Sequence, residues 1–239
     1  MNTHRSAQQL CGAMPIALAT TGRFAASDTV GTLTVHNKGV GGQNSKQGKA
    51  RFARDVLALK PDYVFIYFGL NDTLNEPAFL SEEEYVQNLS WMVDQARAAG
   101  ITPVLCTIHH IREEALLKRH RKASYGAEGP NGKIDRYDRA LRRMANEKQA
   151  PFADFTRRVA SAAYEEGQRV SEDGVHLTPT GNKALAECFL NVVAGEIKGK
   201  TTIVCFGDSV TWGAGVKGSG TTRGETYPAY LGRTQMNVW

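Results

Sequence analysis

The chain has 239 residues, of which 41% are hydrophobic and 22% are charged, a composition typical of a folded globular protein and not of a disordered one. This length suits one large domain or two small ones, and the apolar runs are shorter than the roughly 18 residues of a membrane-spanning helix. The formal net charge is +5, and segment 111–143 carries all of that excess. We interpret the segment as a solvated face of helix and loop. The alternatives are a surface that steers an anionic substrate and a nucleic-acid patch, which the scarcity of interleaved aromatic residues disfavours.

The N-terminal region has a mildly apolar patch at 10–19 that Gly12 and Pro15 interrupt. A signal peptide needs a cleaner apolar core, so we expect a cytoplasmic protein. The cysteines are far apart and form no CxxC pair, which predicts free thiols rather than disulfides or a zinc site. They are Cys11, Cys106, Cys188 and Cys205.

Short apolar runs alternate with helical patterns along the chain, which predicts an α/β fold with a mostly parallel sheet. The runs are continuous and do not alternate with polar residues, as expected for strands that are buried on both faces. In chain order, the predicted strands cover 32–36, 63–68, 102–108, 151–155 and 202–206.

Helices are predicted where apolar residues recur at spacings of three and four. A short helix includes Phe52 and Val56, and a longer one begins after Ser81, which forms a capping box with Glu84. A basic helix covers 134–148, and the last long helix follows Thr178. The residues predicted to face inward are Tyr85, Leu89, Met92, Val93 and Ala96, then Tyr137, Leu141 and Met144, then Leu185, Phe189, Val192, Val193 and Ile197.

Three polar segments directly follow predicted strands, at the carboxyl edge where open α/β sheets bind ligands. Segment 207–211 places Ser209 on a turn from strand to helix, with its hydroxyl in solvent and its amide facing outward. Segment 37–43 is rich in glycine, so its backbone can present N–H groups to a ligand. Segment 69–72 offers the amide donor of Asn71.

A fourth segment, Asp173 to His176, precedes the last long helix. Histidine is a suitable general base near neutral pH, and an aspartate three residues earlier can hold its ring in the required tautomer. Each segment alone is a weak signal, because turns, glycine loops and Asp-x-x-His pairs are common. Together they supply a nucleophile, a base, an orienting carboxylate and oxyanion donors, a combination that indicates acyl-transfer chemistry.

These four segments resemble the blocks of the SGNH hydrolases, also called GDSL-type esterases. That family has a Gly-Asp-Ser block, a block with a key glycine, a Gly-x-Asn-Asp block and an Asp-x-x-His block. Tyr227-Pro228 after the serine block and Leu177 after the histidine match further. The resemblance implies a three-layer α/β/α flavodoxin-like fold with a mostly parallel five-stranded sheet.

The resemblance also implies a role for each matching residue. Ser209 is the nucleophile, His176 the general base and Asp173 its partner. The oxyanion hole consists of the Ser209 amide, the Gly42 amide and the Asn71 side chain. Gly42 is preferred because it lies five residues after Asn37, although Gly41 stays open as the alternative. No metal and no cofactor are implied.

The order of the blocks departs from the family, in which the serine block comes first. Here it comes last, within 202–215, so the chain looks circularly permuted. The last long helix runs away from the carboxyl edge, so its end near Ile197 lies where the strand that carries Ser209 has to begin. A short link at 198–201 can join them. We therefore predict a single permuted domain over 1–239.

The predicted function is a serine esterase that hydrolyses short-chain acyl esters, first of all acetyl groups on a polysaccharide such as xylan. A thioesterase, a lysophospholipase or an arylesterase of the same fold is the alternative, as is an acyltransferase. A rival of another class is a non-catalytic flavodoxin-like binding domain. The expected partner is a small-molecule or carbohydrate ester, with no nucleic acid and no membrane, and the oligomeric state is left open.

Three further features are weighed against ordinary structural roles. His109 and His110 follow a predicted strand without a third metal ligand, so a place at the pocket rim is favoured over metal binding. Trp212 is interpreted as packing rather than as a platform for a substrate. Residues 118–122 are expected on an insertion above or beside the site.

Overall fold

The computed structural model describes residues 32–160, 171, 173–197 and 199–233. Five strands form one sheet in the order β1-β5-β2-β3-β4, and every neighbouring pair is parallel. The predicted α/β class with a five-stranded parallel sheet is therefore confirmed. The strands are β1 (Thr32–Gly39), β2 (Tyr63–Tyr67), β3 (Thr102–Cys106), β4 (Phe152–Ala153) and β5 (Lys200–Gly207).

The strand boundaries differ from the predicted ones at the two edges of the sheet. Strand β1 continues beyond His36 to Gly39, because it stays in register with β5 along its whole length. Strand β4 is only two residues long, and Phe155 begins a helix instead of ending a strand. The apolar pattern predicted a strand at Phe155 because the residue is apolar and its ring is fully buried, but it reaches the core from a helix.

Nine α-helices lie within the described ranges. They are α1 (Ser45–Asp55), α2 (Leu70–Leu74), α3 (Glu82–Ala98), α4 (Glu113–Leu116), α5 (Gly129–Glu147), α6 (Phe155–Ala160), α7 (Pro179–Val193), α8 (Ser209–Trp212) and α9 (Tyr227–Arg233). Three 3₁₀ turns cover Leu57–Leu59, Glu76–Ala78 and Lys122–Tyr125.

The helices cover both faces of the sheet, as the side chains of adjacent residues on β5 show. Successive residues of a strand point to opposite faces. The Phe206 ring meets Phe52 of α1 edge to face at 5.4 Å, whereas the Cys205 side chain interacts with Tyr227 of α9. Helices α1, α3 and α5 pack in sequence on the first face, and α6, α7 and α9 pack on the second. The expected three-layer arrangement follows.

Local sequence signals account for where two of the long helices begin. Ser81 and Glu84 form the predicted capping box at the start of α3. Thr178 caps α7 by accepting a hydrogen bond from the Gly181 amide, and Pro179 occupies the first turn. Helix α7 ends at Val193, so Ile197 packs against the core from beyond the helix and not on its inward face.

Three neighbouring strands, β1, β5 and β2, end level with one another at their carboxyl edge. Gly39 of β1 and Tyr67 of β2 both lie opposite Gly207 of β5. A Cβ atom on Gly207 would lie 2.3 Å from the Tyr67 carbonyl oxygen, so only glycine permits this approach. The loops that follow β1, β2 and β5 therefore emerge side by side.

A buried carboxyl group supports the loop after β3. Asp138 of α5 accepts hydrogen bonds from the Ile108 amide at 2.9 Å and from the Thr156 hydroxyl at 3.1 Å. That hydroxyl also lies 2.7 Å from the Ile108 carbonyl oxygen. Burial raises the pKa of Asp138 from 3.8 to about 7, and the two hydrogen bonds offset only part of that rise.

We expect Asp138→Asn to weaken the pH dependence of folding stability. Between pH 4 and pH 7 the folded protein keeps a proton on Asp138 that the unfolded chain has released, so stability falls as the pH rises through this window. An amide cannot titrate, and the slope should drop by up to about 1.4 kcal/mol per pH unit. Urea unfolding from about pH 5 to about pH 7 measures the slope of the free energy of unfolding against pH. Parallel curves for the variant and the wild type contradict the expectation.

Three of the four cysteines are free thiols, as predicted. Cys106, Cys188 and Cys205 are free and buried, while Cys11 lies outside the described residues, as does the apolar patch at 10–19. Within the described residues, no helix has the length and apolar character needed to cross a membrane.

Candidate active site

Ser209 lies at the first position of α8, immediately after β5. The preceding residue, Asp208, caps this short helix, and its carboxylate accepts a hydrogen bond from the Val210 amide at 2.9 Å. Gly39 permits the elbow, because a Cβ atom there would lie 2.0 Å from the Trp212 amide nitrogen. The serine is only partly buried, so its hydroxyl is accessible from the carboxyl edge of the sheet.

The Asp208 carboxyl group has no exposed surface. Burial raises its pKa to about 7, the Val210 amide lowers it, and the charge of nearby Asp72 raises it further. Asp72 is itself buried and accepts hydrogen bonds from the amide and hydroxyl of Ser45. Two buried carboxyl groups thus hold the elbow and the start of α1 beneath the site.

The side chains of Ser209, His176 and Asp173 form one hydrogen-bonded chain. His176 Nε2 lies 3.0 Å from Ser209 Oγ, although the two residues are 33 positions apart. His176 Nδ1 lies 2.6 Å from Asp173 Oδ2. Because Asp173 accepts from Nδ1–H, Nε2 of the neutral ring is left to accept the Ser209 proton.

Asp173 is fixed by its own loop. Its Oδ1 accepts hydrogen bonds from the backbone amides of Val175 at 2.9 Å and His176 at 2.7 Å. Burial raises the pKa of this carboxyl group, but the hydrogen bonds from the His176 ring and from the two amides outweigh burial and hold the pKa well below its ordinary value. The carboxylate is therefore charged throughout the neutral range and can stabilise a protonated His176.

Asn71, on the first turn of α2, presents its amide beside the serine. One N–H of its side chain donates to the Gln43 carbonyl at 3.1 Å, and its oxygen accepts from Asn75 at 3.2 Å. The same nitrogen has only a weak 3.5 Å contact with Asp208. A second N–H is thus left to donate to a ligand.

The glycine-rich loop runs from the end of β1 to the start of α1. Gly42 has φ +76, a left-handed conformation that favours glycine. Neither Gly41 nor Gly42 has an atom within 4 Å of where a Cβ would lie, so the backbone of this loop is open to a ligand. Asn71 contacts the loop through the carbonyl of Gln43, next to Gly42. Both glycines stay candidates for the oxyanion donor.

One buried arginine that the sequence pattern did not single out ties these loops together. Arg51 of α1 is 7% exposed, and its guanidinium donates to the carbonyl oxygens of Lys38 at 2.8 Å and Gly207 at 2.7 Å. It also donates to the Gln43 side chain at 2.6 Å and pairs with Asp55. A polar residue inside an amphipathic helix gives no local signal of such contacts.

A pocket of about 430 Å³ opens beside Ser209 and His176. Its apolar wall consists of leucines and a valine. Its polar groups come from α2, from Ser209, from the loop of residues 173–176 (the catalytic loop) and from the segment after α4. The lining residues are Leu70, Asn71, Leu74, Asn75, Leu116, Arg119, His120, Asp173, Val175, His176 and Ser209.

His109 and His110 have opposite environments. His109 is fully buried between the Tyr67 hydroxyl, 2.6 Å from Nδ1, and the Val175 carbonyl oxygen, 2.8 Å from Nε2. Burial lowers its pKa to about 4, so the ring is neutral and its Nε2–H donates to the catalytic loop. His110 is exposed and contacts Asp135 at 2.7 Å. Neither histidine is among the residues that line the pocket, so the pocket rim, which the sequence offers only as an alternative to an ordinary structural role, is not where they lie.

The basic segment splits into two parts. Residues 112–125 pass beside the pocket, as the expectation for 118–122 required, and contribute Leu116, Arg119 and His120 to its lining. The remainder is mainly α5, whose Arg136 and Arg142 pair with carboxylates. Trp212 does not line the pocket and is 40% exposed, with its indole against Gly220.

The model of the GDSL-like lipase/acylhydrolase family matches residues 16–184. That range contains the glycine-rich loop, Asn71 and the Asp173–His176 loop, and it stops before Ser209.

Two relatives align over 179 residues each. The acetylxylan esterase of Geobacillus stearothermophilus is 27% identical, over 69% of this chain and 74% of the relative. The lipoprotein YqeF of Bacillus subtilis (strain 168) is 28% identical, over 66% of this chain and 72% of the relative. The crystal structure of a GDSL-like lipase from Bacteroides thetaiotaomicron VPI-5482 superposes with a TM-score of 0.54 at 24% identity, covering 64% of this chain and 72% of the other.

The relative YqeF also corrects one expectation. Lipoproteins are held at a membrane surface by a covalent lipid, and this relative is described as one. The prediction of a cytoplasmic location is therefore wrong. The apolar patch at 10–19, on which it was based, is not part of the described structure.

Proposed function

The chain belongs to the GDSL-like lipase/acylhydrolase family and is a carboxylic ester hydrolase, and on that premise we propose that it cleaves short-chain acyl esters with Ser209, His176 and Asp173 as its triad. The observation that carries the proposal is the continuous hydrogen-bonded chain from Ser209 Oγ through the His176 ring to Asp173, with distances of 3.0 Å and 2.6 Å. A nucleophile, a base and an orienting carboxylate at these distances are what acyl transfer needs.

In the proposed mechanism, His176 Nε2 takes the proton of Ser209 as its oxygen attacks the ester carbonyl. The charge that forms on the imidazole is balanced by Asp173, which the amides of its own loop keep ionised. His176 then gives the proton to the leaving alcohol, which departs. Water, activated by the same ring, attacks the acyl-enzyme and releases the acid and Ser209.

We assign the oxyanion hole to the Ser209 amide, the Gly42 amide and the Asn71 side chain. Asn71 has an N–H without a strong acceptor, and Gly42 adjoins the residue to which Asn71 is bonded. Such donors act on the charge that develops in the transition state, and each contributes on the order of 3 kcal/mol to lowering the barrier.

We propose an acetyl group as the acyl part and a carbohydrate as the alcohol. The acetylxylan esterase relative favours this choice. The pocket supports the choice of a polar alcohol as well, because Leu70, Leu74 and Leu116 are interspersed with Asn75 and His120.

We also propose that the described residues form one domain in which the usual block order is circularly permuted. Flavodoxin-like sheets have the strand order 2-1-3-4-5. The sheet order β1-β5-β2-β3-β4 becomes that order when the last strand is counted first. The family match supports the proposal, since it covers the other three blocks in sequence without the serine block.

A panel of esters tests the proposed specificity. We expect p-nitrophenyl esters from acetyl to dodecanoyl to lose kcat/KM steadily as the acyl chain lengthens, and singly acetylated xylosides to be deacetylated. Release of p-nitrophenol and of acetate measures the two reactions. A preference for the long chains contradicts the acetyl assignment, and no turnover of any ester contradicts the enzymatic one.

A further inference from the structure

Two carboxylate–imidazole pairs border the pocket, and the proposed mechanism uses only one of them. The second is His120 with Glu76, joined by a 2.6 Å contact between Nδ1 and Oε2. The His120 ring lines the same pocket as Ser209, although its segment is far from the serine in sequence. Neither residue belongs to any of the four sequence blocks.

Glu76 holds this imidazole in one orientation. Its Oε1 also accepts from the Arg121 amide and from the Ser124 hydroxyl, each at 3.1 Å. The hydrogen bond from His120 is the main reason that the pKa of Glu76 falls to about 2, and burial opposes it only partly. The carboxylate is charged at neutral pH, so Nδ1–H of His120 donates to it.

The other ring nitrogen of His120, Nε2, has no partner among the described residues. In the neutral ring it accepts a hydrogen bond, and in the protonated ring it donates one. A hydroxyl group satisfies either form, because it is both a donor and an acceptor. An alcohol next to the scissile ester is thus a suitable ligand at any protonation state of His120.

The segment that carries His120 is anchored on both sides of the pocket. The Tyr125 hydroxyl donates to the Leu74 carbonyl at 2.7 Å, and the Arg112 amide donates to the Gly174 carbonyl at 2.9 Å. Gly174 lies within the catalytic loop, and Leu74 ends the helix of Asn71. The position of His120 is thereby fixed relative to the proposed nucleophile.

The charge and polarity of the pocket indicate the class of ligand. Arg119 is the one arginine in the lining, and its guanidinium donates to the Asp173 carbonyl at 3.2 Å. Asp173 in the lining and Glu76 beside His120 bring two carboxylates against this one guanidinium, so the charge of the pocket does not favour an anion. Leucine side chains beside Asn75 and His120 match a ring with apolar faces and hydroxyl edges.

We propose that the part of the pocket lined by Asn75, Leu116 and His120 is the subsite for the leaving alcohol. There His120 hydrogen-bonds a free hydroxyl of a carbohydrate. The inference rests on the proposed function, in which Ser209 attacks the ester, and it adds the residue that selects the alcohol. The Glu76 carboxylate acts through His120 as a positioning residue.

Two acetates with ring-shaped leaving groups test the subsite. One is a methyl xyloside that carries a single acetyl group, and the other is cyclohexyl acetate, which has no hydroxyl on its ring. We expect wild type to favour the xyloside in kcat/KM, and His120→Phe to lower that preference about tenfold, as the loss of one hydrogen bond predicts. His120→Gln, which keeps a hydrogen-bonding amide, should restore part of it.

His110→Phe is the matched control, because His110 also pairs with a carboxylate but lies outside the pocket. Its preference should equal that of wild type. An equal change for both acetates in His120→Phe, or no change, overturns the subsite while the esterase assignment stands. If wild type hydrolyses neither acetate, the proposed function itself fails.

Discussion

Ser209→Ala is expected to lower kcat for p-nitrophenyl acetate by at least about 10⁴-fold, because replacing the nucleophile of the proposed serine triad removes the covalent route. Within the described residues, the Ser209 hydroxyl makes one hydrogen bond, the 3.0 Å contact with His176, so its removal disrupts no structural contact there. The free energy of unfolding should therefore change by less than about 1 kcal/mol. Initial rates and urea unfolding measure the two effects.

Ser81→Ala is the control for the same chemical change elsewhere. Ser81 caps α3 at the surface, so its loss should cost about 1 kcal/mol of stability and leave the activity at the wild-type level. Retention of more than about one hundredth of the activity in Ser209→Ala, well short of the expected loss, would remove the serine from the mechanism.

Gly207→Ala is expected to cost about 3 kcal/mol of folding stability or more. A Cβ atom at this position would lie 2.1 Å from Thr211 Oγ1 and 2.3 Å from the Tyr67 carbonyl oxygen. The threonine side chain is fully buried, and the carbonyl belongs to β2 in the middle of the sheet, so β5 has to shift. Because Ser209 follows two residues later, activity should fall together with stability.

Gly195→Ala provides the comparison for this substitution. Gly195 has no atom within 4 Å of an added Cβ and no positive φ, so its replacement should change stability by no more than about 0.5 kcal/mol. The urea midpoints of the two variants and the wild type measure both stability changes. Equal midpoints for Gly207→Ala and wild type would mean that the strands are not packed this closely.

Local patterns predicted most of the architecture because burial imprints a period on each element. All five strands were located from their apolar runs, and the inward faces of α3, α5 and α7 from their spacing of three and four. Element boundaries were predicted wrongly where burial does not indicate whether a residue lies in a strand or a helix. Phe155 is apolar and fully buried, but it lies in a helix, and short helices such as α2 leave too few residues for a period to show.

The adjacent residues His109 and His110 illustrate what a local pattern cannot distinguish. Both follow β3, yet one is buried against Tyr67 and the other faces solvent with Asp135. Which of two neighbours enters the core depends on how the chain turns after the strand. That turn is held by the contact of the Ile108 amide with Asp138, which lies 30 residues away.

The sequence alone identified the reactive groups and the strands that precede them. The chemistry of a hydroxyl or an imidazole, and the conformational freedom of glycine, are properties of the residue and do not depend on the fold. The family resemblance also implies that Ser209, His176 and Asp173 meet, but only the folded structure established the contacts that support the site. Arg51 reaches Gly207 across 156 positions, and Glu76 holds His120 across 44, since the sheet order and the loop that crosses the pocket bring them together. Hydrogen bonds between distant segments depend on that arrangement in space, and no period along the chain encodes it.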